Sequence, residues 1–438
     1  MRTTKQAPVG ALGNKEAFVT NFKESGTYRS LLERLEQRDS RSSTKKNQSQ
    51  KSSNLQGKSA KVEGYELRAG MRDAIWGSKM SLCGFAANNG LVGVEASSSG
   101  SSRLSHGQKC KKSLCPVCGF EKDTKRAEEI KVLFEVGLRE GWKGWFFTLT
   151  FSHQRREAVK AIGDDLQKCW RKTYQSLRKY CLKHYGFQLE FENSLDFTYG
   201  GSGCHFHYHG ALIHRPKRNK EGDSRQFMLK SMTQSQEREI KKEFKRLWAD
   251  NAAKLGRKVS GQVGVVLRQL EFNQEGLADY IAKTGLFSEA KEIANRTTKS
   301  SKSGYGLRDI HREVAKGSRI WIARFKELTD YFHHKKVHNR SKELTRILKQ
   351  ELASRESKEL EQFHLVFTFN NKVLRAVEKK KLLYPILKVA SDSIRTGNIS
   401  ALTLKVGALL KSSKLEPDRI AVELKKLFSS NLETLPSG

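Results

Sequence analysis

Residues Phe187 to Ile213 read FQLEFENSLDFTYGGSGCHFHYHGALI, two apolar-alternating runs joined by the glycine-rich stretch Gly200–Gly203. Successive side chains of a strand point to opposite faces, so each run reads as a strand and the glycines as the tight turn of a hairpin. The first strand is expected over Phe187–Tyr199, broken or bulged near Asn193, and the second over Cys204–Ile213. His205, His207 and His209 then share one face. Neutral imidazole is the commonest protein metal ligand. Asp196, in register with Ser194 and Thr198 on the preceding strand, is the carboxylate offered to the same site. Two histidines and a carboxylate leave positions open for substrate oxygens and water. Such a set suits Mn²⁺ or Mg²⁺ acting on phosphate, with imidazole favouring Mn²⁺. It also suits a non-haem iron oxygenase, and three histidines can alternate on a strand for packing alone.

Working outward, Trp145–Phe151 (WFFTLTF) is aromatic and β-branched, hence a strand. Val159, Ile162, Leu166, Trp170, Thr173, Leu177 and Cys181 recur at helical spacing up to a stop at Gly186. Met232–Ala253 reads as a helix, Val263–Phe272 as a strand and Gln274–Thr284 as a helix. The order β-α-β-β-α-β-α predicts an α+β fold, an antiparallel sheet with helices segregated to one face. The last of these helices carries Tyr280 and Lys283, three apart and so on one side. A phenol with a pKa of about 10 is a weak nucleophile, which a polarised phosphate and a neighbouring cation make competent. The plain alternative is an apolar stripe of Leu277, Tyr280 and Ile281.

The chain's 438 residues carry 82 Lys and Arg against 47 Asp and Glu, a net charge of +35. That length suggests two or three domains. That imbalance attracts polyanions, nucleic acid first. Mean hydropathy is −0.64, and no apolar run approaches the roughly 20 residues that span a bilayer. The first residues hold no signal-peptide apolar region, so the expected place is the cytoplasm, away from membranes. Residues 1–62 are polar and basic, and 40–61 hold one aliphatic side chain larger than alanine, Leu55, so a disordered tail is expected. Three of the seven cysteines, Cys110, Cys115 and Cys118, fall within nine residues. Their spacing suits a structural zinc in a reduced compartment, with Cys83 favoured over His106 as the fourth ligand. The expected division is a zinc-binding part over 63–142, a sheet domain over 143–335 and a mostly helical region over 336–438. The charged segment 335–362 is read as helical and His364–Phe369 as a strand.

Three motifs in this order, Phe147–Phe151, His205–Gly210 and Tyr280–Lys283, resemble those of rolling-circle replication initiators of the HUH endonuclease superfamily. The cysteine cluster and the segment Gly306–Phe325 resemble elements of the plasmid initiators among them. The likeness spans residues 80–335. It implies a ferredoxin-like sheet and a prokaryotic cytoplasm, with the gene on a plasmid or phage. It implies that Tyr280 attacks a phosphodiester of a single-stranded or cruciform origin site, leaving a 5′-phosphotyrosyl link and a 3′-hydroxyl primer. His207, His209 and an acidic residue on the preceding strand, Asp196 or failing it Glu192, would hold the divalent ion. His205 is a further candidate ligand. Some members place a glutamate one helical turn before the tyrosine to activate water; here that position is Gly276, with Glu275 and Asp279 close by but on different helical faces. A host helicase and DNA polymerase are implied partners, as is a homodimer. A single-tyrosine transposase or relaxase would share this machinery. A zinc-dependent nucleic-acid-binding protein would share only the charge and the cysteines.

Overall fold

The computed structural model describes residues 60–75, 77–87, 90–97, 99–215, 232–260, 264–270, 304–333, 335–355 and 363–412. The chain runs α1 (Ala60–Met71), β1 (Leu91–Ser97), β2 (Ser102–Ser105), α2 (Cys118–Arg139), β3 (Lys143–Leu149), α3 (Val159–Tyr185), β4 (Leu189–Gly200) and β5 (Gly203–His214). It continues through α4 (Gln234–Ala253), β6 (Val265–Leu270), α5 (Leu307–Ala315), α6 (Arg319–Phe332), β7 (His338–Arg340) and α7 (Lys342–Ser354). It ends with β8 (Phe363–Asn370), α8 (Asn371–Lys379), α9 (Leu383–Thr396) and α10 (Ile399–Ser412). The expected basic tail lies outside the described residues up to position 59. No helix among the described residues is long and apolar enough to cross a membrane.

The histidine segment becomes the central strand of a five-stranded antiparallel sheet, ordered β6-β3-β5-β4-β7. The hairpin register is continuous from Gly200↔Gly203 to Leu189↔His214, so the break expected near Asn193 is absent. Asn193 sits opposite Gly210, where a Cβ would stand 2.8 Å from the Asn193 Cβ and collide with the Phe147 ring. Glycine there makes room for a buried polar side chain without a bulge. Gly203, at φ +104, starts the returning strand in a conformation that favours glycine.

One face of the sheet carries Trp145, Phe147, Phe191, Phe206, Tyr208 and Leu212 against α3 and α4. Trp170 of α3 is wedged there, with its ring 5.0 Å from Phe147, 5.5 Å from Phe191 and 5.9 Å from Tyr208. Helix α3 stops at Gly186, left-handed at φ 71, and α4 opens on a Thr233–Gln236 capping box.

The other face is also covered, which corrects the expectation of helices on one face. Phe146, Ala211, Ile213 and Leu270 pack under Ile130, Leu133 and Phe134 of α2 and Leu344, Ile347 and Leu348 of α7. Helix α7 lies in the charged segment read as helical, and an i, i+3, i+4 apolar stripe runs among its charges. The same segment supplies β7, paired to β4, so the boundary drawn at 335/336 runs through the sheet rather than around it. Arg340 of β7 reaches Glu192 at 2.5 Å and Glu129 at 3.1 Å, and Arg126 meets the other oxygen of Glu192 at 2.5 Å. Glu192 is 1% exposed. Removing one partner of a buried ion pair leaves an uncompensated charge. Arg340→Met is therefore expected to cost about 3 kcal/mol of stability in urea unfolding, and an unchanged midpoint would show that Arg126 suffices.

A second antiparallel sheet, ordered β2-β1-β8, joins the two ends of the described chain. The strand expected over His364–Phe369 is β8, and it pairs with β1 from Leu91↔Asn370 to Ser97↔Phe363. Arg68 of α1 and Arg72, just past its end, close the join by binding Glu378 of α8 at 2.9 and 2.8 Å.

His214 offers a pH test. It is buried, 4.3 Å from the Phe187 ring in an edge-on contact. Burial, with Lys143 adding, pushes its pKa down to about 4. The unfolded chain protonates it near 6.5 while the folded one holds it neutral, so its contribution is complete above 6.5 and lost as pH falls toward 4. Stability at pH 5 is expected to be roughly 2 kcal/mol lower than at pH 7 from this residue. Urea titrations at both pH values should show a smaller difference in His214→Leu.

Candidate metal centres

The strand alternation that buries Phe206 and Tyr208 under α3 turns His205, His207 and His209 to the opposite face. Farther along that face, Ala211 and Ile213 are roofed by α2 and α7, so the polar residues cluster toward the hairpin turn. The register sets Asp196 opposite His207, and Ser194 and Thr148 on either side of His209. Asp196 Oδ2 lies 3.6 Å from His207 Nε2. One ligand atom from each of Asp196, His207 and His209 falls within 4.8 Å of the others. Ligands at about 2.1 Å from one octahedral ion stand about 3 Å apart, so a small inward movement would close this set on a cation.

The neighbours aim these groups. Thr148 Oγ1 is 3.1 Å from His209 Nδ1, which leaves Nε2 for an ion. Asp196 Oδ1 accepts from the Phe197 amide at 2.8 Å, which leaves Oδ2 toward His207. Partners of this kind fix ring orientation in metal sites. The donor set of two imidazoles and a carboxylate, largely buried at Asp196 and His209, fits a divalent ion and leaves positions open.

His205 stands apart from the donor set. The Thr150 hydroxyl donates to the Phe206 carbonyl at 3.0 Å, so it accepts from His205 Nε2 at 3.0 Å. The His205 ring also lies 5.4 Å from that of His153. Burial, with His207 and His153 adding, pushes its pKa down to about 4. Glu192, the fallback carboxylate, is engaged by Arg126 and Arg340. Sequence reasoning missed Thr148, Thr150 and a further pair, His338 and Asp123, whose Nε2 and Oδ1 are 3.4 Å apart. His338 follows Ser194 in the row that starts at Thr148 and His209. No local signal marks it, because β7 finds β4 from far along the chain.

Tyr280, Lys283 and Glu275 lie outside the described residues. Their segment is bounded by Leu270 and by Gly304, and the next residue, Tyr305, bridges Tyr199 near the hairpin turn.

The second cluster is all sulfur. Cys83, Cys110, Cys115 and Cys118 bring their Sγ atoms within 4.8 Å of one another, with Cys83 at 3.5 Å from Cys118 and 3.7 Å from Cys115. Tetrahedral zinc with bonds of about 2.3 Å separates its sulfurs by about 3.8 Å, so this cluster could hold a zinc ion. His106 is not among these donors; its Nδ1 lies 2.9 Å from Ser105 Oγ. The four thiols perturb one another: their mutual contacts draw Cys83 and Cys118 below the usual thiol range, while Cys110 and Cys115 are pushed above it. Gly84, at φ +84, turns the chain behind Cys83, and its amide donates to the Gln108 carbonyl at 2.7 Å. Buried Cys169 and Cys181 lie outside the cluster and are pushed up to about 12 by burial. No family model, curated protein or solved structure matches this chain.

Proposed function

We propose that the protein is a rolling-circle replication initiator, a metal-dependent enzyme that cuts and rejoins a DNA strand through a tyrosine. The observation that carries the reading is the convergence of Asp196, His207 and His209 on one face of the hairpin. The net charge of +35 supports a polyanionic substrate, and the three sequence motifs support the tyrosine. Asp196, His207 and His209 would hold Mn²⁺ or Mg²⁺, which when bound polarises a phosphoryl oxygen. The Tyr280 oxygen attacks the phosphorus and gives up its proton; the P–O3′ bond breaks and the departing 3′ oxygen takes a proton. Lys283 balances the negative charge that gathers on the phosphate. Rejoining is the reverse, a 3′-hydroxyl attacking the phosphotyrosyl link and returning the phenol. In the alternative ending, Glu275 takes a proton from the water that hydrolyses that link. The cysteine cluster is the structural zinc site in this reading.

The test is denaturing electrophoresis of labelled single-stranded origin DNA incubated with the protein, with Mn²⁺ or with EDTA. A metal-dependent protein–DNA adduct that vanishes in Tyr280→Phe is expected. Retained DNA binding with neither cleavage nor adduct would replace this reading with that of a zinc-dependent nucleic-acid-binding protein.

A further inference from the structure

A cavity of about 430 Å³ opens between the zinc element, the turn after α1 and helix α6, and the chemistry at the metal centres makes no use of it. Its apolar lining includes Ile75, Met80, Leu114 and Phe325. Six lysines stand around it: Lys79, Lys111, Lys112, Lys122, Lys326 and Lys335. The carboxylate among the lining residues is Asp330. Lys335 is paired with Asp164 at 2.7 Å, and Lys122 donates to the Lys111 carbonyl at 2.6 Å. Among the described residues, no carboxylate pairs with Lys79, Lys112 or Lys326.

Cations crowded without counter-charges repel one another, and an anionic occupant relieves the repulsion. The apolar floor asks that the same occupant carry a flat or greasy part. A nucleotide has both, with a base for the floor and phosphates for the rim. The six lysines come from four stretches of chain, at 79, 111–112, 122 and 326–335. Lys111 and Lys112 lie between Cys110 and Cys115 of the cysteine cluster, so a metal bound there would hold this wall. Lys111 adopts φ 54, a turn that the knot would hold in place.

We infer that this cavity holds one nucleotide of a bound single strand of DNA, at a subsite separate from the metal centre. The inference rests on the reading of the chain as a DNA-binding protein. Phe332, which also lines the cavity, packs on Phe197 and Phe206. Those residues face away from Asp196 and His207 on the same two strands. None of the cavity's lining residues belongs to the Asp196, His207 and His209 set, so the subsite is separate from the metal centre.

The experiment is fluorescence anisotropy with a fluorescein-labelled single-stranded oligodeoxynucleotide and the full chain, without added divalent metal. Thr329→Trp plugs the cavity and leaves every charge in place. A triple variant, Lys79→Glu, Lys112→Glu and Lys326→Glu, reverses the rim. A control triple, Lys242→Glu, Lys245→Glu and Lys349→Glu, makes the same change in net charge elsewhere. Thr329→Trp and the rim triple are each expected to weaken binding about tenfold or more, and the control by about threefold or less. Wild-type affinity in a folded Thr329→Trp would overturn the inference and point to a lipid or small anion as occupant. A rim triple no weaker than the control would overturn it as well, and decides alone if Thr329→Trp does not fold. The two readings separate on the adduct assay. Weakened binding in the cavity variants with no adduct in the wild type keeps this subsite and removes the nicking chemistry; an adduct with unaffected cavity variants does the reverse.

Discussion

In the proposed nicking reaction, Asp196→Asn is expected to abolish Mn²⁺-dependent strand cleavage and to leave DNA binding in metal-free buffer unchanged. Asparagine keeps the size of the side chain and an oxygen for the Phe197 amide, now 2.8 Å from Asp196 Oδ1, so the hairpin has no reason to rearrange. What it loses is the negative charge facing His207 at 3.6 Å. In a site where Asp196 is only 6% exposed, water screens little of that charge, and the two imidazoles are left to hold the cation alone. Metal affinity should fall by about a hundredfold or more, and cleavage by about a thousandfold. Thr148→Val, which frees the His209 ring without touching a ligand, should weaken the metal by about tenfold. His205→Ala should do less, because His205 is bonded to Thr150 and lies outside the donor set. Electron paramagnetic resonance of bound Mn²⁺ ranks the three directly, apart from any effect on the chemistry. Wild-type cleavage in Asp196→Asn would mean that the carboxylate comes from another part of the chain.

The arrangement of Asp196 opposite His207 was legible because a hairpin with a two-residue turn has no freedom of register. Once Gly200 faces Gly203, Asp196 must face His207 and Ser194 must face His209. The amphipathic helix 159–185 was legible for a similar reason, since one period and one glycine stop define it. The roof over the second face was not. Its apolar residues on α7, Leu344, Ile347 and Leu348, are three positions in a run dominated by charge, and a solvated helix is the ordinary reading of such a run. Arg340 was hidden for a related reason: an arginine is buried only when its partners are, and Glu192 and Glu129 lie far away in sequence. Asn193 misled because polarity in an apolar strand usually marks a break, whereas here the space left by Gly210 accommodates it. The cysteines were half legible. Cys110, Cys115 and Cys118 announce themselves by spacing, but the choice of Cys83 over His106 depends on how two loops meet, with Gly84 and Phe85 bonded to Gln108.

That meeting of loops makes Cys115→Ser the most destabilising single change expected in this chain. The wild type should carry one zinc per chain bound by the four thiolates, and the variant none, as native mass spectrometry would read. Cys115 is fully buried, so serine leaves an unmatched hydroxyl among three thiols that repel as thiolates. More is lost than one contact. The cluster ties the Cys83 turn and the 110–115 loop to the first residue of α2, and α2 roofs the sheet face that bears Asp196, His207 and His209. Structural zinc contributes folding energy outright, on the order of 10 kcal/mol in small zinc-dependent units. Part of that is retained here through the β1–β8 pairing and the Arg68 and Arg72 bonds to Glu378, which hold the same region by other means. A loss of about 5 kcal/mol, and a fall in Tm of roughly 5 °C, is the expected result. Cys181→Ser is the matched control, a buried thiol in α3 outside the cluster, expected to cost about 1–3 kcal/mol and to keep its zinc. If the two variants melt alike and the wild type binds no zinc, the four sulfurs are packed thiols, and the wall of the lysine-rimmed cavity is held by packing alone.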